Sequence, residues 1–195
     1  GVEWIVADGG SRDDTRARAG RWARVVDAPR GRGPQLNAGA RAARGEILVF
    51  LHADTHLPEG ARAALERALE DPRVVGGHFR FGLRGPVARS RAGQMLQAGI
   101  NLRCALFGSA TGDQAIFCRR AAFDALGGFA PLPLFEDLDF YRRLKRLGRV
   151  VRLPLAVATS DRRWRTRGVL RTACLHGALR AAYHLGADPR RLAAR

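Results

Sequence analysis

A chain of 195 residues, 46% of them hydrophobic, can bury a substantial core as one domain, and no apolar run in it approaches the roughly 20 residues of a membrane-spanning helix. Its formal net charge of +16 rests on 34 basic residues, of which only Lys145 is lysine, so the excess favours anionic partners such as nucleotides or lipid headgroups without specifying one. Three cysteines, Cys104, Cys118 and Cys174, make no C-x-x-C pair, which argues against a disulfide framework or a zinc site and for reduced thiols in a cytoplasmic setting.

Residues 2–7 read as a strand, with Trp4-Ile5-Val6-Ala7 leading into Asp8-Gly9-Gly10-Ser11. Two glycines permit a tight turn close to a ligand, and Ser11 or Asp13 can cap a helix that begins near Asp14. Arg24–Asp27 is a second short strand. Residues 29–34, Pro-Arg-Gly-Arg-Gly-Pro, form a basic loop before a helix through Leu36, Ala40 and Ala43. Such a loop is either an ordinary solvated connection or a phosphate cradle of backbone N–H groups and arginine. After Gly45 comes Ile47-Leu48-Val49-Phe50-Leu51, an apolar run of the length expected for a strand buried on both faces. It is expected to be a central parallel strand, in a sheet whose right-handed crossovers follow from the strand, helix, strand, helix, strand order. Ligands in such sheets bind beyond the carboxyl ends of the strands, which places Asp8, His52, Asp54 and Thr55 at the mouth of a site. An aspartate there can also be no more than a cap for the next turn.

Further along, residues 58–71 predict an amphipathic helix with Ala61, Leu65, Ala68 and Leu69 on one stripe. Residues 74–83 predict a strand, 86–107 a basic helical region, and Ala115-Ile116-Phe117-Cys118 another strand, preceded by Gly112-Asp113-Gln114. The turn-rich Gly127-Gly128-Phe129 and Pro131-Leu132-Pro133 lead to Glu136-Asp137-Leu138-Asp139, which opens a helix ending in Lys145 and Arg146. Acid at the first turn and base at the last suit the helix dipole, yet three carboxylates in four residues exceed what capping requires. Strands around 150–153 and 156–159 follow. A last helix over 168–185 carries Leu170, Cys174, Ala178, Ala181 and Leu185 on one side, which either packs on the domain or, with Arg167, Arg171 and Arg180, lies on an anionic membrane.

Val6-Ala7-Asp8-Gly9-Gly10-Ser11-Arg12-Asp13-Asp14-Thr15 resembles the early acidic motif of family-2 glycosyltransferases of the GT-A fold, V-D-D-G-S-x-D-x-T. Leu51-His52-Ala53-Asp54 stands where that family keeps its D-x-D metal motif, and Phe135-Glu136-Asp137 resembles its catalytic E-D motif. Gly33, Gln35, Asn37, Gly39 and Ala40, the Gly112-Asp113-Gln114 segment and the Gly127-Gly128-Phe129 turn match in order as well, so the likeness covers nearly the whole chain. The Leu-His-Ala-Asp-Thr form and the Arg163-Trp164-Arg165 tail are closer to a bacterial subgroup associated with arsenosugar biosynthesis.

The resemblance implies an α/β fold, a GT-A (Rossmann-like) mostly parallel sheet flanked by helices. It implies one domain over 1–195: a nucleotide-binding half to about 58, an acceptor and catalytic half over about 59–160, and a C-terminal helical segment over about 161–195. The implied activity is an inverting transfer of sugar from a nucleotide-diphosphate donor to a hydroxyl of a small-molecule or lipid acceptor. Transfer requires neutralisation of the leaving diphosphate, for which the family uses Mg²⁺ or Mn²⁺, and Asp54 is the implied metal ligand. Asp8 is expected at the base or ribose, Arg32 at the base or diphosphate, Asn37 among the nucleotide-sugar contacts, and Asp113 near the sugar. Asp137 is expected to be the general base, with Glu136 positioning it or the acceptor.

Two departures stand out. His52 replaces the first aspartate of D-x-D, removing a carboxylate, and Gly9 replaces the second aspartate of the early motif. Ser160-Asp161-Arg162-Arg163-Trp164 is similar to the Q-x-x-R-W of processive synthases but lacks its glutamine. The family's first strand, which lies between those of Ile5 and Phe50 and carries a Pro-x-x-Asn-Glu turn, is not seen, so roughly 20 to 40 upstream residues are expected. Two other classes remain open. A sugar nucleotidyltransferase also uses a Gly-Arg loop and a metal-bound aspartate, though its loop follows the first strand. A basic module without catalysis, bound to membrane or nucleic acid, accounts for the arginines but not for the acidic clusters, and aromatics do not interleave with basic residues as nucleic-acid binding favours. The expected location is cytoplasmic, with peripheral contact at the inner membrane face as its extension.

Overall fold

The structure, a computed structural model, describes residues 1–193; Ala194 and Arg195, the end of the expected 161–195 segment, lie outside the described residues. The first half runs β1 (Ile5–Asp8), α1 (Thr15–Ala19), β2 (Arg24–Asp27), α2 (Arg32–Ala42), β3 (Ile47–Phe50), β4 (Thr55–His56) and α3 (Ala61–Ala68). It continues through β5 (Val74–Arg80), β6 (Leu83–Arg84), α4 (Pro86–Arg89), α5 (Arg91–Phe107), a 3-10 turn (Gly112–Gln114), β7 (Ile116–Arg119) and α6 (Arg120–Ala125). The chain then forms α7 (Glu136–Leu147), β8 (Arg149–Ala156), β9 (Ala158–Ser160), α8 (Arg162–Arg167), α9 (Val169–His184) and α10 (Pro189–Ala193).

The α/β architecture is the expected one, with sheets flanked by helices, but the pairing differs in detail. β1 and β2 form a parallel pair of their own. β3 is not a central parallel strand: it lies at the edge of a second sheet ordered β3-β7-β5-β8 and runs antiparallel to β7. The parallel neighbour in that sheet is β8, which lies beside β5. A third small sheet, β4-β9-β6, ties the loop after β3 to the end of the strand region through Thr55 opposite Thr159, whose hydroxyls are hydrogen-bonded to each other.

The period-2 alternation of β3 explains the two cores. Leu48 and Phe50 face one side of the sheet, where they meet Phe123, Phe129 and Phe140; Ile47, Val49 and Leu51 face the other, toward Leu65, Phe79 and Phe117. The Phe129 and Phe140 rings stack with centroids 4.2 Å apart, and Phe50 meets Phe129 edge-on at 4.8 Å. Thus α2, α6 and α7 cover one face and α3 the other. β5 fits between β7 and β8 because of Gly76 and Gly77: a Cβ at Gly76 would lie 2.3 Å from the Phe117 carbonyl oxygen, and one at Gly77 2.0 Å from that of Val151.

A smaller core of Phe81, Leu83 and Trp164 seats α5, α8 and α9. On α9 the expected apolar stripe does not pack on the domain: Leu170 is 79% exposed and Leu185 89%, and Cys174 is also exposed. The packed side carries Thr172, Ala173, His176, Arg180 and Tyr183. α5 likewise turns Met95, Leu102, Leu106 and Phe107 outward.

Candidate active site

Asp8 closes β1 and is only 4% exposed. Its carboxylate gathers the following turn, accepting from the Ser11 hydroxyl, the Gly10 and Ser11 backbone N–H groups at 3.2 and 3.1 Å, and Arg16 at 3.1 Å. The Ser11 bonds foremost, then Arg16 and Gly10, hold its pKa down at about 2 against the desolvation that raises it. Beside this turn is an open pocket of about 420 Å³ lined by Gly9, Gly10, Ser11, Arg12, Arg30 and Gln35. Gln35 donates to the Ala7 carbonyl at 2.9 Å and lies under Gly9, where a Cβ would meet it at 3.1 Å. Part of the expected basic loop is already helical, since α2 begins at Arg32.

The acidic start of α7 is the most enclosed part of the site. Phe135, in the left-handed region at φ 65°, turns the chain so that Glu136 and Asp137 both point inward, 1% and 7% exposed. Asp137 accepts from the Gly112 N–H at 2.6 Å and the Leu138 N–H at 2.7 Å, one bond to each oxygen. Glu136 pairs with Arg32 at 2.8 Å through Oε1, while Oε2 is buried with no hydrogen-bond partner. Burial raises the Glu136 pKa, Asp137 raises it further, and Arg32 opposes both. Arg32, expected at the base or diphosphate, therefore braces the start of α7 from α2.

Gly112 brings three segments together. A Cβ there would lie 2.5 Å from His52 Nε2 and 3.4 Å from Asp137 Oδ2, so only glycine lets the imidazole and the carboxylate approach the same backbone. The turn itself is held by buried Gln114, which accepts from the Thr111 N–H at 3.1 Å, while Asp113 accepts from the Thr111 hydroxyl at 2.6 Å. Asn37 is drawn elsewhere: its amide donates to the Phe129 carbonyl at 2.9 Å and accepts from the Phe129 N–H at 2.8 Å, pinning the Gly127-Gly128-Phe129 turn.

Asp54 follows His52 on the same loop, half-buried, and its backbone carbonyl accepts from Ser160 N at 3.0 Å. Its carboxylate has no hydrogen-bond or ion-pair partner among the described residues. No group of three or more His, Cys, Asp and Glu side chains able to hold a metal occurs among the described residues. A single free carboxylate does not make an all-protein cage, but it fits a hard cation that takes its remaining ligands from phosphate and water.

The profile of Glycosyl transferase family 2 matches residues 1–127, about two thirds of the chain and all of its first two acidic motifs. The chain belongs to this family. No curated protein sequence matches it. Among solved structures, this family-2 domain is similar to the mannosyltransferase PcManGT from Pyrobaculum calidifontis in complex with GDP-Man and Mn²⁺, at a TM-score of 0.63 and 22% identity over 94% of this chain and 52% of that one. It is also similar to S. aureus TarS in complex with UDP-GlcNAc, at a TM-score of 0.61 and 16% identity over 81% of this chain and 49% of that one. The third is glucosyl-3-phosphoglycerate synthase from Mycobacterium tuberculosis with Mn²⁺, UDP-Glc and phosphoglyceric acid, at 0.55 and 21% identity over 80% of this chain and 59% of that one. The chain thus spans about half the length of these proteins, and at such identities the likeness speaks for the fold.

The family-2 domain also brings residues of α9 against the start of α7. The Tyr183 ring of α9 lies tilted against that of Phe135 with centroids 4.9 Å apart. One turn earlier, Arg180, expected with Arg167 and Arg171 on the membrane-facing side, turns inward instead, and its pKa is pushed down to about 10, chiefly by burial and then by Arg103, with Asp137, Cys104 and Asp113 opposing. Arg180 Nη1 and Arg103 Nε are buried without partners. The signal available in the sequence was the spacing of His176, Arg180 and Tyr183 on one face, opposite the apolar stripe.

Proposed function

We propose that this domain transfers a sugar from a nucleotide-diphosphate donor to an acceptor hydroxyl with inversion at the anomeric carbon. The observation that carries this reading is Asp137: a buried carboxylate at the start of α7, oriented by two backbone N–H groups and facing the Gly112 turn and His52. Those bonds leave lone pairs free to take a proton. As the acceptor oxygen bonds to the anomeric carbon, its proton passes to Asp137 and the bond to the diphosphate oxygen breaks. Glu136, tied to Arg32, fixes the helix start that aims Asp137. Asp8, the 420 Å³ pocket and the first 58 residues would hold the nucleotide, Asp113 the sugar, and residues 59–160 the acceptor. The C-terminal helices α8, α9 and α10 would close the acceptor side.

Asp54 is the residue that would hold Mg²⁺ or Mn²⁺, and a metal bound there supplies neutralisation of the leaving diphosphate. Its free carboxylate supports this role, as does the metal named with two of the similar structures. The Leu51-His52-Ala53-Asp54-Thr55 form and the Arg163-Trp164-Arg165 tail support a place near the arsenosugar-associated subgroup. No described helix is long and apolar enough to cross a membrane. The outward apolar faces of α5 and α9, on a strongly cationic chain, support peripheral contact with an anionic membrane at the cytoplasmic face. The test is calorimetric titration with UDP or GDP in the presence of Mn²⁺. Binding to the native chain and its loss in Asp54→Ala are expected, and unchanged affinity in the variant would remove Asp54 from the metal role.

A further inference from the structure

α9 carries a second pocket, of about 180 Å³, lined by Arg167, Arg171, Thr172, Leu175 and His176. That is well below the roughly 300–1,000 Å³ of a whole small-molecule site, and suits one ionic group of a larger ligand. Two guanidiniums, a hydroxyl and an imidazole line it, and no carboxylate does.

Thr172 is the informative member. It is 3% exposed, and its Oγ1 is buried with no hydrogen-bond partner. A threonine inside a helix ordinarily bonds its hydroxyl to the carbonyl three or four residues back, and a buried hydroxyl left unpaired costs about 1–3 kcal/mol. Here the Thr172 backbone N–H bonds to the Gly168 carbonyl at 3.1 Å, but the hydroxyl does not back-bond. The charge around it is equally one-sided. Burial, with Arg163, Arg180 and Arg167 close by, holds the His176 pKa below its ordinary value, and Asp113 only partly offsets them.

We propose that this pocket binds a phosphate group carried by the acceptor, with Arg167 and Arg171 on its oxygens and the Thr172 hydroxyl donating to it. The assignment rests on the glycosyl-transfer reading above. Its geometry follows α9: His176 packs on Trp164 at 5.6 Å, Arg180 lies one turn on, and the Tyr183 ring meets that of Phe135, two residues before Asp137, at 4.9 Å. At 1.5 Å per residue, Thr172 and Arg180 are about 12 Å apart along the helix. The acceptor would therefore carry its phosphate on the order of 10 Å from the reacting hydroxyl.

The experiment titrates inorganic phosphate into the chain, with Arg171→Ala and Thr172→Val in parallel, and sediments the same proteins with phosphatidylcholine vesicles with and without phosphatidic acid. Arg171 is exposed, so Arg171→Ala keeps the test informative should the buried Thr172→Val variant fail to fold. Expected is saturable phosphate binding weakened about tenfold or more in Arg171→Ala, in line with loss of a charge-assisted bond. Arg171-dependent binding of inorganic phosphate indicates a soluble phosphorylated acceptor. Arg171-dependent binding only to phosphatidic acid vesicles indicates a lipid headgroup. No binding in either arm, or binding unchanged in Arg171→Ala, overturns the proposal. Titration with UDP or GDP and Mn²⁺ reads donor binding separately: its failure overturns the transfer reading, and with it the acceptor role assigned to the pocket.

Discussion

Asp137 and Asp8 are both carboxylates at the ends of elements, yet they are built for different work. Asp137 is held by two backbone bonds in a recess shared with His52 and Gly112, so its replacement by asparagine removes the proposed proton acceptor while leaving the pocket lined by Gly9 to Gln35 untouched. Asp137→Asn is expected to retain nucleotide affinity and to lose turnover by about 10²–10⁴-fold, read by nucleotide release at saturating donor. The amide can accept from only one of the two N–H groups, so a loss of about 1–3 kcal/mol of stability accompanies it, measured by denaturant titration. Survival of near-native turnover would move the base to Asp113 or Asp139. Asp8, by contrast, organises its own loop. Its folded pKa of about 2 is below the ordinary 3.8, so its contribution is present above about pH 4 and is lost as pH falls toward 2. Melting curves of native and Asp8→Asn protein are expected to differ near neutral pH and to converge at about pH 2. A gap that persisted at that pH would mean the Ser11 and Arg16 contacts do not act through the ionised form.

At the scale of elements, the second sheet depends on how closely three strands can approach. Gly77 lies between Phe117 and the Val151 carbonyl, where a methyl group would sit 2.0 Å from the oxygen and 2.8 Å from the Phe117 ring. β5 would have to leave its parallel register with β8 to accept any side chain. Gly77→Ala is therefore expected to cost about 1–3 kcal/mol by overpacking, lowering the melting temperature by about 2–4 °C per kcal/mol in a chain of this size. An unchanged melting temperature would show that β5 and β8 can separate without loss. α7 links this sheet to the site: Phe140 and Leu144 anchor it in the core below, while Glu136 and Asp137 project from its first turn above. The same strand packing that stabilises the fold thus sets the position of Glu136 and Asp137.

For the whole molecule, the unusual feature is where the apolar surface lies. Met95, Phe107, Leu170 and Leu185 are 72–89% exposed, on two helices that pack against each other. Scattered exposed leucines need no account, but two apolar faces on adjacent helices do. Arg91, Arg167, Arg171 and Arg190 are exposed on the same helical region, giving it the charge that an anionic surface complements. Each basic residue near such a surface contributes about 1 kcal/mol, screened by salt. Sedimentation with anionic vesicles is expected at low salt and is expected to fall at high salt, with Leu170→Glu and Phe107→Glu weakening it at both. No binding at low salt would end the membrane assignment, and a concentration-dependent dimer in its place would assign the faces to a second copy.

Features that depend on neighbours along the chain were legible in the residues alone. The Ile47-Leu48-Val49-Phe50-Leu51 run became β3, Arg24–Asp27 became β2, and the acid-first, base-last helix became α7, because side-chain period and helix dipole act within a few residues. The acidic clusters at Asp8, Asp54 and Glu136-Asp137 were legible for the same reason. Tertiary structure alone decided which partners these elements found. β3 met β7 in an antiparallel pair, and Arg32 and Asn37 crossed about a hundred residues to reach Glu136 and Phe129. The last helix shows the limit most plainly. Its period identified the residues sharing a face, but Leu170, Cys174, Ala178, Ala181 and Leu185 remained outside while Thr172, His176 and Arg180 turned inward. Periodicity tells which side chains stand together. Which surface they meet is set by the shape and charge of elements distant in sequence, here Trp164, Phe135 and the carboxylates around Gly112.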